Sequence, residues 1–344
     1  MSRVFVHGQG AVSPAGWGVP ALWASLENKR PLQVQSLVRP GWDKPLPVRL
    51  VPPPAVRPAF LAHPRLRRAS PMTHFAVGAA LEALGQDADL IRSGGLRLGI
   101  LTCTLTGGIS YSRRFYEETL QNPATASPMI FPETVFNSSA SHLAAFLGSS
   151  TINYTLVGDA GTFLQGLAVA AGWLDNGLAE ACVVIGAEEP DWTAADALRL
   201  FDSRAVHASG AGALYLKSRC PSHAPVELAA VTDSFAATRT PGRNEAARKM
   251  RAQLPVGAPD ELLCASERHS PAWNDWTGKV LTPVEILGEA FAAASAWQCV
   301  AACDAIQHSR CAAANVSITG ASLQAIAARF VNPHLFKTPE DLSP

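Results

Sequence analysis

The stretch Tyr154-Thr-Leu-Val-Gly-Asp-Ala-Gly-Thr-Phe163 decides how this chain folds. Just before and into it, Thr151-Ile-Asn-Tyr-Thr-Leu-Val157 is β-branched and aromatic, which predicts a strand over 152–157. From its last residue onward, Phe163-Leu-Gln-Gly-Leu-Ala-Val-Ala-Ala-Gly-Trp-Leu174 is apolar nearly all round and stops at Asp175-Asn-Gly177, which predicts a buried helix. Strand, small-residue turn and buried helix in succession form an elbow that holds one side chain at a helix N-terminus. There the dipole and the free N–H groups lower a thiol's pKa and stabilise an oxyanion. The side chain in that place is Ala160, which cannot attack anything. The frame of an active site is present without its reactive atom.

Outward from the elbow, strand-like runs at 98–103, 152–157, 182–185 and 211–216 alternate with helical ones. A second set follows at 225–234, 261–266 and 315–319, separated by helical segments at 244–253 and 284–307. That alternation is an α/β pattern, although no internal repeat is visible. The proline-rich stretch 31–64 has apolar residues spaced through it and reads as an extended surface excursion. With 344 residues, 48% of them apolar and 16% charged, the chain can bury a large core. A net charge of zero and no basic tract argue against a nucleic-acid partner. Seven cysteines without close pairing, apart from Cys299 and Cys303, indicate free thiols in a reducing compartment. Those two lack a histidine at ligand spacing and read as core residues, so no metal and no cofactor is expected. No signal peptide is expected, no apolar run reaches membrane-spanning length, and a cytoplasmic location is expected. The eight tryptophans are scattered and read as packing residues, and His142 as a hydrogen-bonded histidine rather than a ligand.

The elbow resembles that of the β-ketoacyl synthases, the condensing enzymes of fatty-acid and polyketide assembly, with Ala160 at their cysteine position. Without a gap, Gly177-Leu-Ala-Glu-Ala-Cys-Val-Val-Ile-Gly-Ala-Glu188 is similar to the family's following strand. Val4-Phe-Val-His-Gly-Gln-Gly-Ala-Val-Ser-Pro14, Arg67-Arg-Ala-Ser-Pro-Met-Thr-His-Phe-Ala76, Leu98-Gly-Ile-Leu-Thr-Cys-Thr-Leu-Thr-Gly-Gly108 and Ser209-Gly-Ala-Gly-Ala-Leu-Tyr-Leu216 agree in order. The resemblance covers residues 1 to about 217 well and thins beyond. It implies a thiolase-like fold: two similar βαβαβαβ halves stacked as five layers, α-β-α-β-α, with the elbow helix at the centre. The expected division is an N-terminal half at 1–217 and a shortened C-terminal half at 218–344, packed as one unit.

A decarboxylating condensing enzyme needs a thiolate and two hydrogen-bond donors that stabilise an enolate. In Leu263-Cys-Ala-Ser-Glu-Arg-His-Ser-Pro-Ala-Trp-Asn-Asp275, similar to a degraded first donor loop, Ser266 or Glu267 takes the donor position, with His269 close by. Gly288-Glu-Ala-Phe-Ala-Ala-Ala-Ser295 overlays the second donor motif and puts Glu289 at its histidine. The family's lysine is missing near Leu281-Thr-Pro-Val284. Asn315-Val-Ser-Ile-Thr-Gly-Ala-Ser-Leu-Gln324 resembles the gating loop, with Thr319 at the phenylalanine. No catalytic set is therefore expected; a residual polar site would draw on Asp159, Thr162 and His269. Asp159 also reads simply as a helix N-cap.

The resemblance implies an obligate dimer. Phe131-Pro-Glu-Thr-Val-Phe-Asn-Ser-Ser-Ala-Ser-His-Leu143 resembles the dimer-side stretch, which places Phe131, Val135, Phe136, Leu143 and Tyr154 at the interface. Three functions fit. The first is a chain-length-factor-like subunit that pairs with an active ketosynthase paralogue and reaches acyl carrier protein through it, in fatty-acid, polyketide or aryl-polyene biosynthesis. The second is an acyl-transferring or acyl-hydrolysing enzyme of altered mechanism. The third is a stand-alone homodimeric acyl-binding protein.

Overall fold

A computed structural model describes residues 3–236, 240–267, 270–319 and 324–335. Strand β1 (Phe5–Ser13) turns through β2 (Gly16–Trp17) into α1 (Val19–Asn28), and the proline-rich excursion carries β3 (Gln35–Leu37) and β4 (Leu46–Arg49). Helix α2 (Pro71–Leu84) starts where its sequence signals it. The Ser70 side chain accepts the Thr73 N–H, Pro71 fills the first turn, and Gly85 ends it. Next come α3 (Asp87–Arg92), β5 (Leu98–Thr104), α4 (Ile109–Gln121) and α5 (Ser138–Leu147). The elbow follows as β6 (Asn153–Val157) and α6 (Thr162–Asp175), then β7 (Ala181–Glu188), α7 (Trp192–Phe201), β8 (His207–Ala208) and β9 (Gly210–Lys217). The remainder is β10 (Val226–Val231), β11 (Phe235–Ala236), α8 (Thr240–Ala252), β12 (Leu262–Ala265) and β13 (Lys279–Leu281). It ends with α9 (Pro283–Leu287), α10 (Phe291–Gln307), β14 (Ala313–Ile318) and β15 (Gln324–Val331).

The duplication that the sequence hides is plain in the strand order. One array runs β6-β5-β7-β9-β1, with β9 antiparallel to both neighbours and the β6-β5-β7 run parallel. The other runs β13-β12-β14-β15-β10, with β15 antiparallel to both neighbours and β13-β12-β14 parallel. Counting the main strands of each array in chain order, both read third, second, fourth, fifth, first. A short antiparallel contact, Phe5↔Glu227 and Val6↔Val226, joins them through β1 and β10. Helices α2 and α5 cover the outside of the first array and α8 the outside of the second, while α6 and α10 lie between. The five-layer α-β-α-β-α arrangement is therefore present. The excursion forms a separate small sheet, β3-β4-β8.

Helix α10 sits deepest: every residue from Ala292 to Ile306 is buried. Its alanine-rich surface lets strands approach closely. A Cβ added to Gly186 of β7 would lie 2.2 Å from the Ala292 carbonyl oxygen, so glycine is required there. The fully buried Trp297 donates its Nε1–H to the carbonyls of Ala211 (2.9 Å) and Val12 (3.2 Å), tying α10 to β9 and β1.

One expectation fails. The helix read over 284–307 is broken at Gly288–Ala290, because Gly288 takes φ 97 and the Glu289 main chain leaves the helix to bond β8. Glu289 N–H donates to Val206 O at 2.9 Å, and Ala208 N–H to Glu289 O at 2.7 Å. Among the described residues, no helix is long and apolar enough to cross a membrane.

The contact between β7 and α10 generates a paired expectation. Gly186→Ala forces two backbones apart and should cost about 3 kcal/mol or more, or yield no soluble protein. In α6, a Cβ on Gly172 meets nothing within 4 Å, so Gly172→Ala should gain about 0.5–1 kcal/mol. Urea unfolding of the two variants checks both signs.

Candidate functional site

Between β6 and α6 the chain passes through Gly158, Asp159, Ala160 and Gly161. Two anchors fix this turn. Ser295 Oγ, near the start of α10, donates to the Ala160 carbonyl at 2.6 Å. Asp159 Oδ1 accepts the Gly161 N–H (3.1 Å) and Gln324 Nε2 (2.5 Å), and Gln324 in turn accepts from Gln165 (3.1 Å) and Ser234. The Gln324 side chain lies so close to Gly161 that a Cβ there would come within 2.6 Å of it. Asp159 is thus not the N-cap: Gly161 takes that position, with no side-chain bond. The carboxylate instead braces the turn from two residues upstream of the cap.

Ala160 is 8% exposed and lies in the wall of a cavity of about 270 Å³. Leu105, Ala197, Leu198, Phe201 and Phe291 make most of the wall apolar, and Asp159, Arg243, Ser266, Glu289 and Thr319 complete it. The elbow position, both donor positions and the gate position therefore surround one space. Ser266 is spent on structure: its Oγ donates to Thr319 O and accepts the Thr319 N–H, each at 2.9 Å. Thr319 Oγ1 donates to Glu267 Oε1 at 3.1 Å. A neighbouring cavity of about 300 Å³ shares Leu198, Ser266, Glu289 and Thr319 and adds Arg49, Glu267 and Glu285. Thr162 is buried and lines neither cavity, which removes it from the residual polar site. His269 lies outside the described residues.

Glu289 is held where the helix break puts it. Its Oε1 accepts the Phe291 N–H at 2.7 Å, and Phe291 itself takes φ 44, a strained value for a non-glycine residue costing about 1–3 kcal/mol. Burial, with the Asp159 charge adding to it, pushes the carboxyl up to about 7 against the pull of main-chain N–H groups. Beside it, His207 packs on Phe291 with ring centroids 5.9 Å apart, and burial lowers its pKa. Among the described residues no group of three or more His, Cys, Asp or Glu could hold a metal ion.

Of the residues expected at the interface, Phe131 (55% exposed), Val135, Phe136 and Tyr154 lie on the surface, and among the described residues β6 is an outermost strand paired only with β5. Leu143 is corrected: on α5 it points inward, fully buried in the core beneath α2. The stretch before it is a short 3-10 turn and a helix start. His142 meets Glu133 at 2.6 Å. Sequence reasoning missed Ser295, Gln324 and Phe291 as parts of the site, although all three stand inside the quoted motifs; only the fold shows what they touch.

The raised Glu289 pKa has a measurable sign. A carboxyl whose folded pKa exceeds its unfolded 4.5 binds its proton more tightly when folded, so stability falls as pH rises from about 4.5 to about 7 and then levels off. Glu188, also pushed up to about 7 by burial, adds to the same slope. Glu289→Gln should remove its own share, on the order of 2–3 kcal/mol between pH 5 and pH 8. Urea midpoints at the two pH values, compared with the unaltered protein, measure it; equal differences would mean that Glu289 titrates as an ordinary carboxyl.

No family model matches the chain, and no curated protein matches it in sequence. Solved structures match it in shape. A chain from a type II polyketide synthase acyl-carrier protein in complex with its ketosynthase, bound to the hexaketide, gives a TM-score of 0.78 at 17% identity, covering 96% of this chain and 99% of that one. A chain of the ishigamide ketosynthase/chain length factor gives 0.76 at 18%, with 96% and 99% covered. A β-ketoacyl synthase from Burkholderia phymatum STM815 gives 0.75 at 16%, with 96% and 100% covered. The chain thus has the thiolase-like fold of the β-ketoacyl synthases along nearly its whole length, closed around an elbow that carries an alanine.

Proposed function

We propose that this chain is a non-catalytic, chain-length-factor-like subunit of a condensing-enzyme dimer. In this reading residues 1–217 and 218–344 are its two halves, its partner is an active ketosynthase paralogue, and its mostly apolar cavity helps shape the channel in which the partner's acyl or polyketide chain grows. The observation that carries it is Ala160 in an otherwise intact elbow. Removing the nucleophile from a cooperating set costs on the order of a million-fold in turnover. Glu289 and the structurally committed Ser266 do not supply the pair of donors at the two positions where the resemblance expects them, and Arg243 is the one cation in the cavity wall. The free edge of β6 and the exposed Phe131, Val135, Phe136, Tyr154 and Val157 favour a partner there, since an unpaired apolar edge invites pairing.

One observation favours a second reading. Glu289 near pH 7 is poised to take a proton, so the site could hydrolyse an acyl thioester. Water's oxygen would bond to the acyl carbon, Glu289 would take its proton, and the thiol would leave with that proton.

Three outcomes test these readings. Incubation with acyl-carrier protein should leave the intact mass unchanged and release no free acid; release abolished by Glu289→Gln would establish the hydrolase instead. Ala160→Cys alone should not restore condensation, and product from that single variant would show that the donors have been misplaced. Co-expression with a condensing enzyme encoded beside it that keeps its cysteine should give a stable pair, with an interface on the order of 2,000–5,000 Å². Phe136→Asp should abolish that pairing. A chain that stays monomeric by light scattering, with or without such a partner, removes the subunit reading.

A further inference from the structure

At the far end of α10 from the elbow, about 25 Å along its 17 residues, lies a separate cavity of about 640 Å³. The end of α1, the outer strand β13 and the turn after α10 enclose it. Its floor is apolar, built from Trp23, Leu26, Leu262, Leu281 and Ala305. Three cations line it: Lys29, Lys279 and Arg310.

Neither Lys29 nor Lys279 has an acidic partner within 4 Å among the described residues. Arg310 stacks on Trp23, its guanidinium carbon 4.0 Å from the ring centroid, while binding Asp304 at 2.6 Å. Glu27 is the one acid in the lining. Of the acids nearby, Asp304 is held by Arg310 and His308, Glu261 is neutralised by Arg329, and Asp260 is exposed. The Trp23 Nε1–H is buried away from the cavity, so the indole contributes only apolar surface to its lining. Cys311 is only wall: burial pushes its thiol up to about 11.

Two exposed ammonium groups without acidic partners, an aromatic–guanidinium stack and an apolar floor make one kind of site. We infer that this cavity binds a small organic carboxylate with an apolar, flat body. The carboxylate sits among Lys29, Lys279 and Arg310, and the body lies on the floor at Leu262, Leu281 and Ala305. The charge balance of the lining favours a monoanion: three cations stand against Glu27 and the Asp304 already bound to Arg310. None of this depends on the elbow or on a partner subunit.

The probe is 1-naphthaleneacetate, titrated calorimetrically into the purified full chain, with the uncharged 1-naphthaleneethanol as its match. The acid should bind at least about tenfold more tightly than the alcohol. Lys279→Glu, on an exposed edge strand, should weaken it at least about tenfold. Ala160→Trp, which fills the elbow cavity, should leave the affinity unchanged. Equal affinity for acid and alcohol, no heat up to millimolar probe, or sensitivity to Ala160→Trp in place of Lys279→Glu would each overturn the assignment.

Discussion

Everything in this molecule depends on burying α10 from end to end between two sheets. A helix with no solvent face must present a surface that strands can pack against on several sides, and alanine is the residue that permits it. The strands give way in turn: Gly186 and Gly212 have no room for a side chain against Ala292 and Ala296. Trp297 then supplies the volume that alanines lack, and its one polar atom finds carbonyls on both β1 and β9. The N-terminal end of this helix carries the functional consequence, because Ser295 lies near its start and the break at Glu289 just before it.

The frame of the elbow and the chemistry of the elbow are physically separable. Ser295, Asp159, Gln324 and the glycine at 161 hold the turn through main-chain groups and through one another, and none of them uses the side chain at 160. A nucleophile there would add nothing to this bracing. Its absence therefore leaves a well-formed turn, and a well-formed turn is no sign of activity. The strained Phe291 and the carboxylate of Glu289 are likewise maintained by the strand contact to β8, whether or not a substrate arrives.

The elbow was legible because it depends on local pattern: a β-branched run, small residues and an apolar helix are each written within a few residues. The same holds for β5 and β7, whereas β1 and the start of α2 at Ser70-Pro71 are reached through the family resemblance. What was not legible depends on contacts far apart in sequence. The helical reading of 284–307 failed since the pattern of apolar residues runs through Gly288 unbroken, while the bonds that break the helix come from β8. The resemblance of 131–143 to a dimer-side stretch puts Leu143 at the interface with Val135 and Phe136, yet a helix sends successive residues to different faces, and only the presence of α2 decides which face is inside. Gln324 looks like an ordinary loop polar residue until it is seen against Asp159. The duplicated strand order left no trace in sequence, because two halves need only the same burial pattern, not the same residues, to reach the same topology.

The polarity of the elbow cavity points the same way as its missing nucleophile. An enolate needs donors that stay in place as negative charge develops. Glu289 is the reverse: below about pH 7 it holds a single proton, and above it adds a charge of the wrong sign. Ser266, whose hydroxyl is already committed to both main-chain groups of Thr319, cannot turn toward a ligand without breaking that pair. A neutral hydrocarbon or polyene makes no such demand. Under the proposed function such a chain needs mostly apolar walls and a carboxyl able to take up a proton, and burial with Asp159 raises the Glu289 pKa in that direction. In that reading the missing thiol and the buried carboxyl, which disfavour condensation, are compatible with a chain that only passes.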